Sequence, residues 1–169
     1  MRRKPQDSRC AVIDVGTNTV NLLVCDVDPE AREQHAVIDE SVITRLGEGL
    51  PQTGKMQPDA IDRTWAAIRQ YITKARRVGA SRIVGVGTSV LRDARNTADF
   101  LDMLRNGLAL NIDVIPSASE ARLSYLAVRT DSTLSRPEKD LLIVTDVGSG
   151  STECVSGGWR RASGDWTPA

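Results

Sequence analysis

Aromatic side chains are scarce in this sequence, at 4% of residues. That excludes a core built on rings and leaves Val, Ile, Leu and Ala to supply the buried surface. Charge of either sign is not in excess, since 22 basic residues balance 22 acidic ones. A generally basic surface that would attract nucleic acid is therefore absent, and any anion site must be local. Cysteines are few and far apart, at Cys10, Cys25 and Cys154, with no metal-ligand spacing. Free thiols in a reducing cytoplasm are the expectation. No stretch approaches the ~20 apolar residues of a membrane span. The basic start Met1-Arg2-Arg3-Lys4 precedes an apolar run that Asp14 interrupts, which is not a signal peptide. A cytoplasmic protein with no nucleic-acid or membrane partner is expected. The single histidine, His35, is remote in sequence from every motif below and reads as structural.

What is there has the length of one compact domain and little more, 169 residues. Residues 9–16 and 19–27 read as strands joined by the tight turn Gly16-Thr17-Asn18-Thr19. A third strand over 34–45 completes an antiparallel meander, and the Gly-rich stretch 46–57 reads as a loop. From 58 to 78, Ile61, Trp65, Ile68, Ile72 and Ala75 recur at helical spacing, with Pro58 at the start and Gly79 at the stop. Trp65 is therefore a core residue. A strand over 82–86, a helix from about 96 to 107, a strand over 112–115 and a helix over 117–128 follow. Alternating strands and helices after a meander imply an α/β mixed sheet with helices packed on it. Beyond a polar linker over 131–140, residues 141–146 and 152–155 read as strands flanking Gly148-Ser149-Gly150-Ser151. No regular structure is expected from 157 to 169.

An internal repeat carries the functional signal. Val12-Ile13-Asp14-Val15-Gly16-Thr17-Asn18-Thr19 and Val144-Thr145-Asp146-Val147-Gly148-Ser149-Gly150-Ser151 share a strand, Asp-Val-Gly and a turn of small polar residues. Gly permits close backbone approach to a ligand. Successive amides in such a turn form a concave anion site, and Thr, Ser and Asn add neutral hydrogen bonds. Gly16, Thr17, Asn18 and Thr19, with Gly148, Ser149, Gly150, Ser151 and Thr152, are the candidate phosphate-binding residues. The alternative is that each is only a hairpin turn, because the same residues favour turns. Two copies with a shared Asp-Val-Gly favour phosphate.

The paired turns resemble the phosphate loops of the actin, sugar-kinase and heat-shock chaperone superfamily. Within it, the chain is similar to the exopolyphosphatase and guanosine pentaphosphate phosphohydrolase family. Asp14-Val15-Gly16-Thr17-Asn18-Thr19 fits D-x-G-S/T-N-S/T, and Arg45-Leu46-Gly47-Glu48-Gly49-Leu50 fits R-L-G-x-G-L. The stretch 88–96 fits T-S/H-x-L/M-R-x-A-x-N, and 146–153 fits D-x-G-G-G-S-T-E. The resemblance implies a ribonuclease-H-like (actin-like ATPase) lobe over 1–130, the linker, the first hairpin of an incomplete second lobe over 141–156, and the tail. It implies Mg²⁺-assisted hydrolysis of a phosphoanhydride in inorganic polyphosphate or a guanosine pentaphosphate-type alarmone. The implied catalytic residues are Glu120 as base, Arg92 as phosphate contact and Asp146. Asp14, Asp146 and Glu153 are implied as Mg²⁺ ligands. The family is departed from at Ser119, where a first Glu stands, at Ser149, where a Gly stands, and at Asn21, where many members are basic.

Two other classes compete. One is a catalytically inactive fragment that binds phosphate or alarmone, whose unpaired hairpin edge would let two copies pair as a homodimer. The other is a sugar kinase or chaperone ATPase, against which the 88–96 stretch and Glu120 argue. Individual residues have plainer readings as well. Ser117-Ala118-Ser119-Glu120 fits a capping box, in which Glu120 would only close its own helix. The plainer readings are a surface or ion-paired Arg for Arg92, turn caps for Asp14 and Asp146, and an exposed strand face for Glu153, the weakest of these candidates. The place of Arg92 just after a strand end favours phosphate contact, and the equivalent repeat positions of Asp14 and Asp146 favour a Mg²⁺ or water role.

Overall fold

The computed structural model describes residues 9–28, 33–131, 134 and 141–158. Most of the expected linker and tail lies outside these residues. Two compact units divide between Val114 and Ile115, Met1–Val114 and Ile115–Ala169.

The first unit opens with β1 (Arg9–Val15), β2 (Thr19–Asp28) and β3 (Glu33–Ile43), an antiparallel meander. β4 (Arg82–Gly87) then pairs parallel with β1, and β5 (Ile112–Val114) parallel with β4. The sheet order is β3-β2-β1-β4-β5, a mixed sheet as the strand and helix order implied. One face of β1 and β2 is fully buried, because Ala11, Ile13, Val15, Val20, Leu22 and Val24 alternate with half-exposed residues. Burying each large aliphatic side chain contributes ~1.5–3 kcal/mol before entropy is charged against it. Helices α2 (Pro58–Arg77) and α4 (Thr97–Leu108) cover that face, and Phe100 and Leu104 join Ile68 and Tyr71 in one core.

The buried stripe of α2 differs from the expected one. Ala60, Thr64, Ala67, Ile68, Tyr71, Ile72 and Ala75 are buried, while Ile61 and Trp65 are only partly covered. The helix presents its small residues to the sheet, which permits close approach, and Arg69 lies over the Trp65 ring at 5.0 Å. Its end follows the expected signal. Gly79 adopts φ 83, with its amide and that of Ala80 bonded to the carbonyls of Arg76 and Ala75. Two short helices fall where none was expected. α1 (Leu50–Thr53) interrupts the predicted loop between left-handed Gly49 and Gly54, and α3 (Ser89–Asp93) follows β4 directly.

The second unit holds α5 (Ser117–Thr130), β6 (Leu141–Val147) and β7 (Thr152–Gly158). β6 and β7 form an antiparallel hairpin, and β7 continues through Gly157 and Gly158, where no regular structure was expected. α5 packs on one hairpin face. Tyr125 is 2% exposed, and its hydroxyl sits 2.7 Å from where a Gly157 Cβ would lie, so a side chain there would collide with it. Leu141, Ile143 and Val147 project from the other face and are exposed.

Candidate functional site

The first turn is closed by a hydrogen bond from the Gly16 amide to the Thr19 carbonyl, at 2.9 Å. The R-L-G-x-G-L segment clamps it from one side. Thr44 and Arg45 both donate backbone N–H to the Asn18 carbonyl at 2.9 Å, and Gly47 donates to the Thr17 carbonyl at 2.9 Å. Arg45 reaches this geometry with φ 52, in the left-handed region. Leu46 is fully buried between these contacts and anchors the clamp in the core. A trans peptide holds its C=O and N–H antiparallel in one plane. With the Thr17 and Asn18 carbonyls turned to the clamp, the amides of Asn18 and Thr19 point the opposite way. That leaves a local concentration of amide hydrogens suited to an anion.

The 88–96 stretch reaches the same turn. β4 runs parallel beside β1, pairing Val15 with Gly87, so the chain that leaves β4 emerges next to the turn. Thr17 Oγ1 and Ser89 Oγ lie 2.8 Å apart, and Ser89 is buried. Arg92, half-buried, stands on α3 within one helical turn of Ser89. Asn96 has a structural task instead. Its side-chain amide brackets the Met56 backbone, accepting from the Met56 amide and donating to its carbonyl, both at 3.0 Å.

Asp14 sits one residue before the end of β1, and its Oδ2 accepts a hydrogen bond from Asn21 Nδ2 at 3.0 Å. Asp14 and Asn21 are register partners across β1 and β2. His35 is exposed on β3 opposite Asp26, toward the end of the meander away from the turn.

The second turn repeats the first. Gly148 donates to the Ser151 carbonyl at 2.9 Å, the same closure that Gly16 makes to Thr19. Asp146 and Glu153 are register partners, as Asp14 and Asn21 are. Glu153 is 7% exposed. The plainer reading of an exposed strand face is thus overturned, because alternation puts Glu153 on the α5 side of the hairpin with Asp146. Gly148, Ser149 and Gly150 are exposed, and Ser151 is half-buried.

Glu120 is half-buried on the first part of α5. The capping-box reading does not hold. Pro116, not Ser117, is the N-cap residue, and no side chain caps this helix end. A proline has no amide hydrogen for a glutamate to reach back to. The Ser119 and Glu120 amides bond to the Pro116 carbonyl at 2.9 and 3.1 Å. Ser124, which sequence reasoning passed over, lies one helical turn beyond Glu120 on the same face. Its hydroxyl donates to Asp146 Oδ2 at 2.6 Å. α5 thereby ties the helix turn that carries Glu120 to the strand end that carries Asp146. The i, i+4 spacing of Glu120 and Ser124 was the available signal.

Among the described residues no three His, Cys, Asp or Glu side chains gather into a ready-made metal cage. That donor set still fits Mg²⁺, which is usually held by one or two carboxylates and completed by phosphate and water. Asp14, or Asp146 with its cross-strand neighbour Glu153, offers that number.

Residues 23–163 match the Ppx/GppA phosphatase family. The chain belongs to this family. It is 40% identical over 160 residues to exopolyphosphatase 2 of Mycobacterium tuberculosis, across 89% of this chain and 48% of that protein. It is 31% identical over 157 residues to the guanosine-5'-triphosphate,3'-diphosphate pyrophosphatase of Photobacterium profundum, across 93% of this chain and 30% of that protein. Among solved structures, an exopolyphosphatase from Cytophaga hutchinsonii superposes with a TM-score of 0.82 at 27% identity, over 90% of this chain and 47% of that one. The Aquifex aeolicus member of the Ppx/GppA family superposes at 0.77 with 30% identity, over 89% of this chain and 47% of that one. The sheet and helices described above are those of the actin-like fold of this family. The chain spans about half the length, or less, of the relatives it matches.

Proposed function

We propose that this chain supplies the phosphate-binding and water-activating parts of a phosphoanhydride hydrolase that releases terminal phosphate from inorganic polyphosphate or a guanosine pentaphosphate-type alarmone. The observation that carries this reading is the identical closure of two Asp-Val-Gly turns, Gly16 to Thr19 and Gly148 to Ser151, each at 2.9 Å. The names of the relatives, exopolyphosphatase and guanosine-5'-triphosphate,3'-diphosphate pyrophosphatase, support the substrate class.

In this reading the amides of Asn18 and Thr19, and those of the 148–152 turn, hold phosphoryl oxygens, and Arg92 adds a charge-assisted contact. Glu120 takes a proton from a water, which attacks the terminal phosphorus. The anhydride P–O bond breaks as the new bond forms, and the shortened chain leaves on its bridging oxygen. A general base contributes ~10²–10⁴ to the rate of such a step. Asp14 in the first unit, or Asp146 with Glu153 in the second, would hold Mg²⁺, which supplies neutralisation of charge on the phosphoryl oxygens. Asp146 is kept in orientation by Ser124.

The test is phosphate release from long-chain polyphosphate and from guanosine pentaphosphate with Mg²⁺, run beside calorimetric binding of the same ligands. Glu120→Gln should abolish release and leave binding within a few-fold. If Glu120→Gln releases phosphate as fast as the parent chain, the assigned base is wrong. Ligand binding with no release by the parent chain would instead favour a phosphate- or alarmone-binding role.

A further inference from the structure

β1 and β2 also bring two thiols side by side, at the end of the hairpin away from the phosphate-binding turn. Cys10 and Cys25 are register partners, and their Sγ atoms lie 3.8 Å apart. Cys25 is 5% exposed, whereas Cys10 is only half-buried. The bond from Gly16 to Thr19 marks that pair as a hydrogen-bonded one. Alternation along the ladder then makes Cys10 and Cys25 a hydrogen-bonded pair too. Such pairs hold their Cα atoms ~5.5 Å apart. This is also the commonest separation in protein disulfides, ~5.5–6 Å. Both sulfurs lie on one face of the sheet, 3.8 Å apart, and closing the bond turns both side chains and draws the Cβ atoms in from the ~5 Å of such a pair to the ~4 Å of a disulfide.

We propose that Cys10 and Cys25 form a peroxide-sensitive modification site, a reversible cross-strand disulfide that staples the base of the β1–β2 hairpin. The oxidant belongs to the peroxide class. The Cys10 thiolate attacks one oxygen of hydrogen peroxide, the O–O bond breaks, and Cys10 becomes a sulfenic acid while hydroxide leaves and is protonated to water. The Cys25 sulfur then attacks the Cys10 sulfur and the S–O bond breaks. Hydroxide departs, taking up the Cys25 thiol proton as a second water. Two thiols and one peroxide give one disulfide and two waters. Exposure sets the order, since Cys10 is the sulfur that peroxide reaches first. Burial, with the contact to Cys10, pushes the Cys25 thiol up to about 11. That makes Cys25 slow to react with peroxide itself. A dithiol reductant reverses the change by exchange.

The experiment uses the full chain carrying Cys154→Ser, which removes the exposed third thiol on β7. After treatment with hydrogen peroxide, both remaining thiols should disappear from titration and the mass should fall by two hydrogens. Non-reducing peptide mapping should join the Cys10 and Cys25 peptides, and dithiothreitol should restore both thiols. The oxidised chain should unfold at a higher urea concentration than the reduced one. A Cys10 sulfinic acid beside an intact Cys25 thiol, or disulfides joining separate molecules, would overturn the proposal. A second variant guards against ambiguity. With Cys25→Ser added, Cys10 should over-oxidise rapidly at a dose that leaves the two-thiol chain as a clean disulfide. Equal over-oxidation in both chains would also overturn it.

Discussion

Asn21 donates its side-chain amide to Asp14 across the first hairpin, at 3.0 Å, from the register position that Glu153 occupies opposite Asp146 in the second. The two repeats therefore close alike but are charged differently. The first sets a neutral donor against its aspartate, and the second sets another carboxylate. In the first hairpin the amide holds one Asp14 oxygen in place. On the proposed role of Asp14 toward Mg²⁺, Asn21→Ala should leave the fold intact and weaken Mg²⁺-dependent binding of tripolyphosphate by ~10-fold, the usual effect of removing a group that orients a metal ligand. Calorimetric titration at fixed Mg²⁺ measures this. An unchanged dissociation constant would mean that Asp14 needs no such support.

Gly47 and Thr17 make a second coupled pair. A Cβ on Gly47 would lie 2.4 Å from Thr17 Cγ2, while the Thr17 hydroxyl is held 2.8 Å from Ser89. Thr17 is β-branched and stiff, so it cannot turn its methyl aside without losing that bond. Gly47→Ala should destabilise the chain by ~1–3 kcal/mol through overpacking. Thr17→Ser deletes the colliding methyl and keeps the hydroxyl. The double variant should recover most of the loss, read as a coupling energy in urea unfolding. Additive losses would show that the strain lies elsewhere.

Sequence made the meander, the long helices and both Asp-Val-Gly turns legible because each depends on local rules, alternation along strands, helical spacing and turn chemistry. The clamp on the first turn was hidden. It runs through backbone amides of Thr44, Arg45 and Gly47, and backbone donors leave no side-chain signature. The stripe on α2 was legible at Ile68, Ile72 and Ala75, which are buried, but not at its margin, where Ala60, Thr64 and Ala67 are buried and the larger Ile61 and Trp65 only partly so. The capping box at Ser117 satisfied the residue pattern, yet Pro116 with φ −68 and ψ 154 already occupies the cap position. α1 and α3 were too short for periodicity to reveal.

Ser124 offers a test of how Asp146 is held. Its hydroxyl donates to Asp146 Oδ2 at 2.6 Å, a bond to a carboxylate from the helix that also bears Glu120. Hydrogen bonds to charged groups contribute ~1.5–3 kcal/mol. On the proposed hydrolysis, Ser124→Ala should lower phosphate release by ~10–100-fold. It should also raise the Mg²⁺ concentration needed for half-maximal rate. Ser124→Thr, which keeps the hydroxyl, should restore both. If alanine shifts neither quantity, Asp146 is oriented by other contacts.

Thr44 carries the last prediction, one of stability and not of catalysis. Its backbone is fully engaged, since its amide donates to Asn18 and its carbonyl accepts from Arg63 Nε at 3.1 Å. Its side-chain hydroxyl is buried without a hydrogen-bond partner, and the residue is 2% exposed. A buried, unsatisfied polar group costs ~1–3 kcal/mol of desolvation that nothing offsets. Valine has the same shape with a methyl in place of the hydroxyl, so Thr44→Val should raise stability by ~1 kcal/mol. For a chain of this size that corresponds to a Tm increase of ~2–4 °C. Thr44→Ser keeps the orphan hydroxyl, deletes the methyl and should lower Tm. The clamp on Asn18 uses only the backbone of Thr44, so tripolyphosphate binding should be equal in both variants. A fall in Tm for Thr44→Val would mean that the hydroxyl finds a partner in solution and that the site is satisfied as it stands.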